Sequence, residues 1–433
     1  MANRLNMVNE ERLHTLKHEL HQQIIESLDI SRIGEMSEDE LRLEIRTAAE
    51  ELSRQSSGLL SLSERERLVN EVVNESFGLG PLEPLLNDPT VSDILINGPK
   101  TVYVERGGRL ELSDIQFSSE KHLLQIIQKI VGRVGRRVDE SSPMVDARLE
   151  DGSRFNAIIS PLALDGSLVS IRRFPARPLL AADLVAKRSI APPMVDFLAA
   201  CVKARCNILI SGGTGSGKTT LLNLLSGYAS ENERIATIED AAELRLQQAH
   251  VVRMETRPPN IEGHGEITSR DLLRNAMRMR PDRVVIGESR GPEALDMLQA
   301  MNTGHEGSMT TLHANDTREA LSRLEMMVGM AGFDLPIWII RRQIASAVDL
   351  VIQANRLPGG VRKITQISEV TGMEGDIISM HDVFAFKQTG LDEQGCATGH
   401  FYATGVRPQC LDKLEACGLR LPYEMFEHGP LSF

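Results

Sequence analysis

Apolar residues recur three and four apart from near the start of the chain. Leu13, Leu16, Leu20, Ile24 and Leu28 fall on one helical face. Ser37 with Glu40 forms a capping-box pair, and Leu41, Ile45, Ala48 and Leu52 then repeat the helical spacing. A third helix is predicted from Ser63 and Glu66 through Leu68, Val72 and Phe77 to Gly78. Residues 1–77 therefore read as a helical bundle. From about residue 88 the period changes to two. VSDILING and TVYVERGGRLEL read as strands, the second a hairpin turning at Arg106–Arg109. Residues 119–134 return to helical spacing. DARLEDGSRFNAIIS reads as a hairpin turning at Asp151-Gly152, and SLVSIRRF as another strand. A small α+β domain is expected over 78–174. The proline-bounded stretch 175–193, PARPLLAADLVAKRSIAPP, reads as a linker. Beyond it, short apolar runs alternate with helical stretches, so 194–433 is expected to hold an α/β domain with a mostly parallel sheet.

The strongest chemical signal sits at the first strand of that last region. In CNILISGGTGSGKTTLLNLL, a buried-strand run at Asn207–Ile210 leads through a glycine-rich stretch into a helix. Gly212 to Thr219 fit G-x-x-x-x-G-K-[ST]. Glycines let backbone N–H groups curl around a β-phosphate, and the helix N-terminus adds its positive dipole end. Lys218 is placed to reach the β- and γ-phosphates, and the Thr219 hydroxyl to ligate Mg²⁺. No N-K-x-D guanine-reading motif occurs, which favours ATP over GTP.

A hydrolase also needs a carboxylate at the end of a second strand. RPDRVVIGESRG supplies Glu288 after the run Arg283–Ile286, with Gly287 where an Asp is common. Glu288 would position or deprotonate the attacking water. The metal then needs another outer-shell acid, and IATIEDAAEL offers Glu239, Asp240 and Glu243. Two histidines, His305 and His313, lie eight apart in TGHEGSMTTLHAND. Helical zinc ligands fall three or four apart, so the spacing disfavours a metal pair against a general base or a polar turn.

Composition narrows the partners. Of 433 residues, 41% are hydrophobic and 25% charged, which is ordinary for a globular chain. The net charge of −12 and the 4% aromatic content argue against a nucleic-acid binder. Residues 1–77 hold sixteen acidic and nine basic residues, more than half of the net negative charge, so this segment is expected to meet a protein. His14, His18 and His21 share a face of the first predicted helix, where a solvated polar face outweighs a metal site. Cys201, Cys206, Cys396, Cys410 and Cys417 form no CxxC unit and read as reduced thiols, Cys201 and Cys206 in the core. Neither a signal peptide nor an apolar run of membrane-spanning length is visible, so a cytoplasmic chain without membrane insertion is expected.

Several blocks, taken in order, resemble the secretion ATPases of the type II/type IV pilus superfamily. They look most like the CpaF-like branch that drives tight-adherence (Tad) pili. The blocks are GLGPLEPLL, DESSPMVDARLEDGSRFNAIISPLALDG, SIRRF, GGTGSGKTT, TIEDAAEL, EGHGEITSRDLLRNAMRMRPDRVVIGESRG and AMNTGHEGSMTTLHAN, with FYATGVRP a looser match. The resemblance implies a RecA-like P-loop NTPase domain preceded by a small PAS-like domain. It implies ATP and Mg²⁺ as ligands and a homo-hexameric ring. It also implies a place at the inner face of the bacterial cytoplasmic membrane, acting on a pilus platform protein there. Carried onto this chain, Gly212, Gly213, Thr214, Gly215, Ser216, Gly217, Lys218, Thr219 and Thr220 hold the nucleotide. Thr219, with Glu239 and Glu288 partly through water, serves the metal. His305 and His313 sit beside the γ-phosphate, and Arg136, Arg148, Arg154, Arg172 and Arg173 neutralise phosphate charge. Traffic ATPases of conjugation or effector export share the P-loop half, and a nucleotide-gated scaffold with little turnover shares the motif. The EGHGEIT loop and the DESSPMVDARL block favour the pilus branch.

Overall fold

A computed structural model describes residues 43, 46–51, 66, 69, 70, 79–149, 151–173, 179–259 and 264–433. The bundle expected over 1–77 lies outside the described residues apart from those few helical positions, and His14, His18 and His21 lie outside them entirely. The chain divides into two compact units, Met1–Pro175 and Ala176–Phe433.

The first unit is built on a six-stranded antiparallel sheet in the order β3-β2-β1-β6-β5-β4. Its strands are β1 (Val91–Asn97), β2 (Val102–Arg106), β3 (Arg109–Leu112), β4 (Met144–Arg148), β5 (Arg154–Ile158) and β6 (Leu168–Arg172). A short helix, α1 (Glu83–Asn87), precedes β1. Helix α2 (Glu120–Arg133) is started by Ser119, whose side chain accepts from the His122 N–H. It buries Leu123, Ile126, Ile127, Ile130 and Val131 in one cluster with Ile94, Ile96, Phe155 and Ile171 of the sheet. Alternation puts one face of β1, β2, β4, β5 and β6 into this core, as the period of two requires, while β3 is exposed along its length.

The second unit has an α/β fold with a mixed, largely parallel sheet. Ten strands run in the order β16-β15-β14-β13-β12-β7-β11-β10-β8-β9. Six are parallel: β12 (Leu350–Arg356), β7 (Ile208–Gly212), β11 (Met309–Leu312), β10 (Arg283–Ile286), β8 (Ile235–Glu239) and β9 (Val251–Glu255). The others, β13 (Arg362–Glu374), β14 (Ile377–Leu391), β15 (Ala397–Ala403) and β16 (Gly429–Pro430), extend the sheet antiparallel. The stretch read as a linker is not bare. It carries α3 (Ala181–Ala186), and its last residues, Pro192 and Pro193, open α4 (Pro192–Lys203). Proline suits a first helical turn, where no N–H partner is lost, so the same residues that look like a boundary start an element.

Two cores cover the two faces of this sheet. On one face, α4 and α5 (Lys218–Ser226) pack on Ile208 and Ile210. On the other, Leu209 meets α6 (Ser269–Ala276), α7 (Glu293–Asn302), α8 (Thr317–Gly329) and α9 (Ile337–Ala347). β7, β10 and β11 are buried at every position, although Ser211, Arg283, Thr310 and Thr311 interrupt their apolar residues. Cys201 and Cys206 are core residues, as expected. No helix among the described residues is long and apolar enough to cross a membrane.

Candidate functional site

β7 runs fully buried into Gly212, and the chain then turns through Gly213–Gly217 into α5. A Cβ on Gly212 would collide with the Ala354 carbonyl oxygen and lie 2.6 Å from Ser216 Oγ, so only glycine fits this close approach. Gly217 caps α5 at φ +99 with no side-chain cap, which leaves the first N–H groups of the helix for an anion. Lys218 is buried, and its Nζ donates to the carbonyls of Gly212 and Gly213 at 3.0 Å each. Ser216 Oγ is buried with no protein partner. Gly213 and Thr214 are exposed, and Gly215, Thr219 and Thr220 are half-buried around the same turn.

Strand register brings the acids and one histidine to this edge. β11 pairs with β7 at Leu312↔Ser211, so His313 follows beside Gly212. His313 Nε2 lies 3.5 Å from Lys218 Nζ and 2.9 Å from Glu288 Oε1. Glu288 Oε2 accepts from Arg290 Nη2 at 2.6 Å, and Arg290 Nη1 lies 3.6 Å from Asp240 Oδ2. Asp240 Oδ1 also accepts from Thr256 Oγ1 at 3.3 Å and from Ser269 Oγ at 3.5 Å. A row of alternating groups thus runs from the phosphate-loop lysine to the start of α6. Burial pushes the Glu288 carboxyl up, but the Arg290 hydrogen bond, with His313 and Lys218 nearby, outweighs it and holds the group below its usual value. Burial and the Lys218 charge push His313 down, so its ring is neutral at physiological pH, and the facing carboxylate assigns the proton to Nε2.

Glu239 ends β8, which pairs with β10 at Ile238↔Ile286. Its Oε1 accepts from the N–H groups of Glu243 at 2.8 Å and Leu244 at 2.9 Å, while Oε2 is buried with no protein partner. Burial raises its pKa to about 7. A Cβ at Gly287 would stand 2.9 Å from Glu239 Cγ. The glycine in place of the common Asp therefore makes room for Glu239. A magnesium ion borne on nucleotide phosphates needs one or two protein ligands rather than a cage. Among the described residues no group of three or more His, Cys, Asp or Glu side chains makes such a cage. Thr219 in the first turn of α5 and the unpartnered Glu239 Oε2 fit that demand.

The expectation for His305 is corrected. It precedes β11 and His313 follows it, so the two stand at opposite edges of the parallel sheet. The four strand residues between them alone span about 13 Å at about 3.3 Å each. His305 accordingly lies with Ser308, whose hydroxyl donates to its carbonyl at 2.7 Å, and with its own Nδ1 buried and unpartnered.

The five arginines separate as well. Arg148, Arg154 and Arg172 are directly opposite one another across β4, β5 and β6, and Asp93 of β1 ends the row. The row gathers positive charge along one line of the sheet, with the Asp93 carboxylate opposite its Arg172 end. Arg173 is not part of it. Its Nη1 donates to the carbonyls of Leu85, Asp88 and Val91, which ties the α1–β1 turn together, while its Nε is buried without a partner. Arg136 is exposed in the turn after α2, outside the sheet. Sequence reasoning missed Arg290, whose only signal was its position two residues after Glu288.

Residues 75–407 match the type II/IV secretion system protein family, and the chain belongs to it. A putative conjugal transfer protein of Mycobacterium tuberculosis is 39% identical over 325 residues, covering 73% of this chain and 92% of the relative. The type IV secretion system protein VirB11 of Brucella suis is 30% identical, covering 67% and 88%. The X-ray structure of the Yersinia pseudotuberculosis ATPase DotB, 20% identical, superposes with a TM-score of 0.50 over 68% of this chain and 78% of its own. At that identity the likeness speaks for the fold.

Proposed function

We propose that this secretion-family chain is an ATP-hydrolysing motor that works as a homo-hexameric ring at the cytoplasmic face of the bacterial inner membrane. It powers assembly of a Tad-type pilus through a membrane platform protein. The observation that carries the ATPase reading is the run Lys218–His313–Glu288 across the mouth of the phosphate loop. In this reading Lys218 and the loop N–H groups hold the β- and γ-phosphates, and Thr219 holds Mg²⁺ with Glu239 and Glu288 behind it through water. Glu288 takes the proton of the attacking water, and a neutral His313 turns its single Nε2–H from Glu288 to the γ-phosphate when ATP is bound and so tells ATP from ADP.

The arginine row Arg148–Arg154–Arg172, with Arg136, supplies positive charge to the phosphates from the same or a neighbouring subunit. Three guanidinium groups in line across β4, β5 and β6 suit a multiply charged anion. Nucleotide exchange then closes and opens the two units about residues 175–193. The acidic segment 1–77 meets the partner protein. Nucleic acid is not a partner in this reading.

The EGHGEIT and DESSPMVDARL blocks support the pilus end of the proposal. The names of the Mycobacterium and Brucella relatives favour a second reading, a traffic ATPase for conjugal transfer or effector export. ATP turnover per subunit, measured as protein concentration is raised with Lys218→Ala as the blank, tests the motor. A steep rise to a plateau is expected if ring assembly completes the site. No turnover above the blank would replace the motor with a nucleotide-gated scaffold. Deleting the gene and scoring pili against DNA or effector transfer separates the two readings.

A further inference from the structure

A second pair of arginines stands on the other side of the phosphate loop. Arg356 ends β12 and Arg362 begins β13, and the two are directly opposite across the hairpin. Only the turn Leu357–Val361 separates them, closed by the Leu357 N–H donating to the Val361 carbonyl at 2.7 Å. Both arginines are exposed. Arg362 Nε donates to the Gly215 carbonyl at 2.9 Å, and its Cδ lies 3.7 Å from where a Cβ on Gly217 would be. Arg356 Nη1 lies 3.5 Å from the Cβ position of Gly215. The hairpin tip is held from behind. A Cβ on Gly359 would come within 2.5 Å of Cys396 Cα, and the Cys396 turn is itself tied by Asp392 Oδ1. These two guanidinium groups are therefore presented to the loop by a fixed support.

Sheet order says which end of a nucleotide they meet. β7 lies between β11 and β12. His313 and Glu288 are on the β11–β10 side, where the terminal phosphate belongs. A nucleotide gripped at its β-phosphate by the loop carries its nucleoside to the opposite side, toward β12 and β13. Resting on the ATP reading above, we infer that Arg356 and Arg362 form the nucleoside wall of the site. Arg362, steadied by the Gly215 carbonyl, lays its guanidinium plane against the purine ring. A planar, weakly hydrated cation suits an aromatic face, and the bond through Nε leaves the plane fixed.

Calorimetric titration of the full-length protein with MgADP and with magnesium pyrophosphate tests this. Arg356→Met with Arg362→Met should weaken MgADP roughly tenfold and leave pyrophosphate within about twofold. Retained pyrophosphate binding also shows that the phosphate loop is folded. Arg362→Lys keeps the charge and loses the plane, so it should resemble the methionine variant. An equal loss for both ligands would mean the arginines only shape the loop, and would overturn the inference. No loss, or full rescue by lysine, would overturn it too. A wild-type protein that binds neither ligand would remove the ATP reading itself.

Discussion

At the C-terminal end of β11, His313 stands between Lys218 and Glu288, partly exposed, in a row of groups joined by single contacts. At the N-terminal end the polar groups are buried and most are bonded several times over, His305 Nδ1 excepted. Arg283 is fully buried and donates to both oxygens of Glu233, to the Val202 carbonyl and to the Gly307 carbonyl. Asn207 Oδ1 accepts from the Gly307 and Ser308 N–H groups, and its Nδ2 donates to the Ala347 carbonyl. The same sheet thus holds charges in two ways. A group that must change partners during a reaction cannot be buried with every bond satisfied, because each exchange would strand a desolvated charge. The front edge keeps its partners few and reachable, and the back edge spends its charges on holding strands and turns together.

The sharpest break removes the front edge alone. Glu288→Gln should lower kcat by about 10²–10⁴ while the melting temperature and MgADP binding stay near wild type. Full turnover in this variant would hand the proton to another carboxylate, Glu239 first. His313→Ala comes next. It deletes one charge-assisted contact, worth roughly 1.5–3 kcal/mol, so turnover should fall roughly tenfold to a hundredfold at unchanged ADP affinity.

Breaking the back edge should do the opposite. Arg283→Met leaves Glu233 buried beside Arg205 alone, whose Nε is 3.5 Å away. Removing one partner of a buried pair costs about 3–5 kcal/mol. Thermal or urea unfolding should show that loss, with turnover per folded molecule close to wild type. A hundredfold fall in turnover of the folded fraction would mean the two edges are not separable.

Much of the front edge was legible in the sequence, and the back edge was not. The phosphate loop is local: one strand, eight residues and one helix carry it, so spacing alone finds it. Glu288 and Glu239 follow apolar runs that read as strands. His305 was grouped with His313 because the two are close in sequence, and only His313 lies at the phosphate loop. MTTL at 309–312 is a β-branched run, and reading it as a strand would have parted them. Arg283 looked like a strand's first polar residue. Its burial depends on Glu233, fifty residues earlier in the chain, which no local pattern reports. Arg356 and Arg362 flank a Pro-Gly-Gly turn that reads only as a hairpin, and their approach to Gly215 comes from β12 pairing with β7, a tertiary fact.

Glu239 is a front-edge carboxylate buried as deeply as the back-edge groups. Its folded pKa of about 7 lies above the ordinary 4.5. Between those values the folded state keeps a proton that the unfolded chain has lost, so stability falls as pH rises through this window and levels off above it. The cost above about pH 7 is roughly 3 kcal/mol. Glu239→Gln should flatten that slope in unfolding measured from pH 4.5 to 8. A variant with the wild-type slope would show that Glu239 is ionised throughout the folded state.

The smallest effect is expected where the first reading of the sequence placed a large one. His305→Ala removes a side chain whose Nδ1 is buried without a partner, so the loss of packing is set against relief of an unsatisfied polar atom. Stability should change by no more than about 1 kcal/mol, and turnover should stay within about twofold of wild type. The backbone bonds at this turn, His305 N–H to the Ala300 carbonyl at 3.2 Å and Ser308 Oγ to the His305 carbonyl, do not depend on the side chain. If His305→Ala instead lost turnover as His313→Ala is expected to, the effect would have to travel the length of β11. The two edges would then be one mechanical element, and the double variant would show it: independent sites add their losses, whereas two ends of one lever lose no more together than either alone.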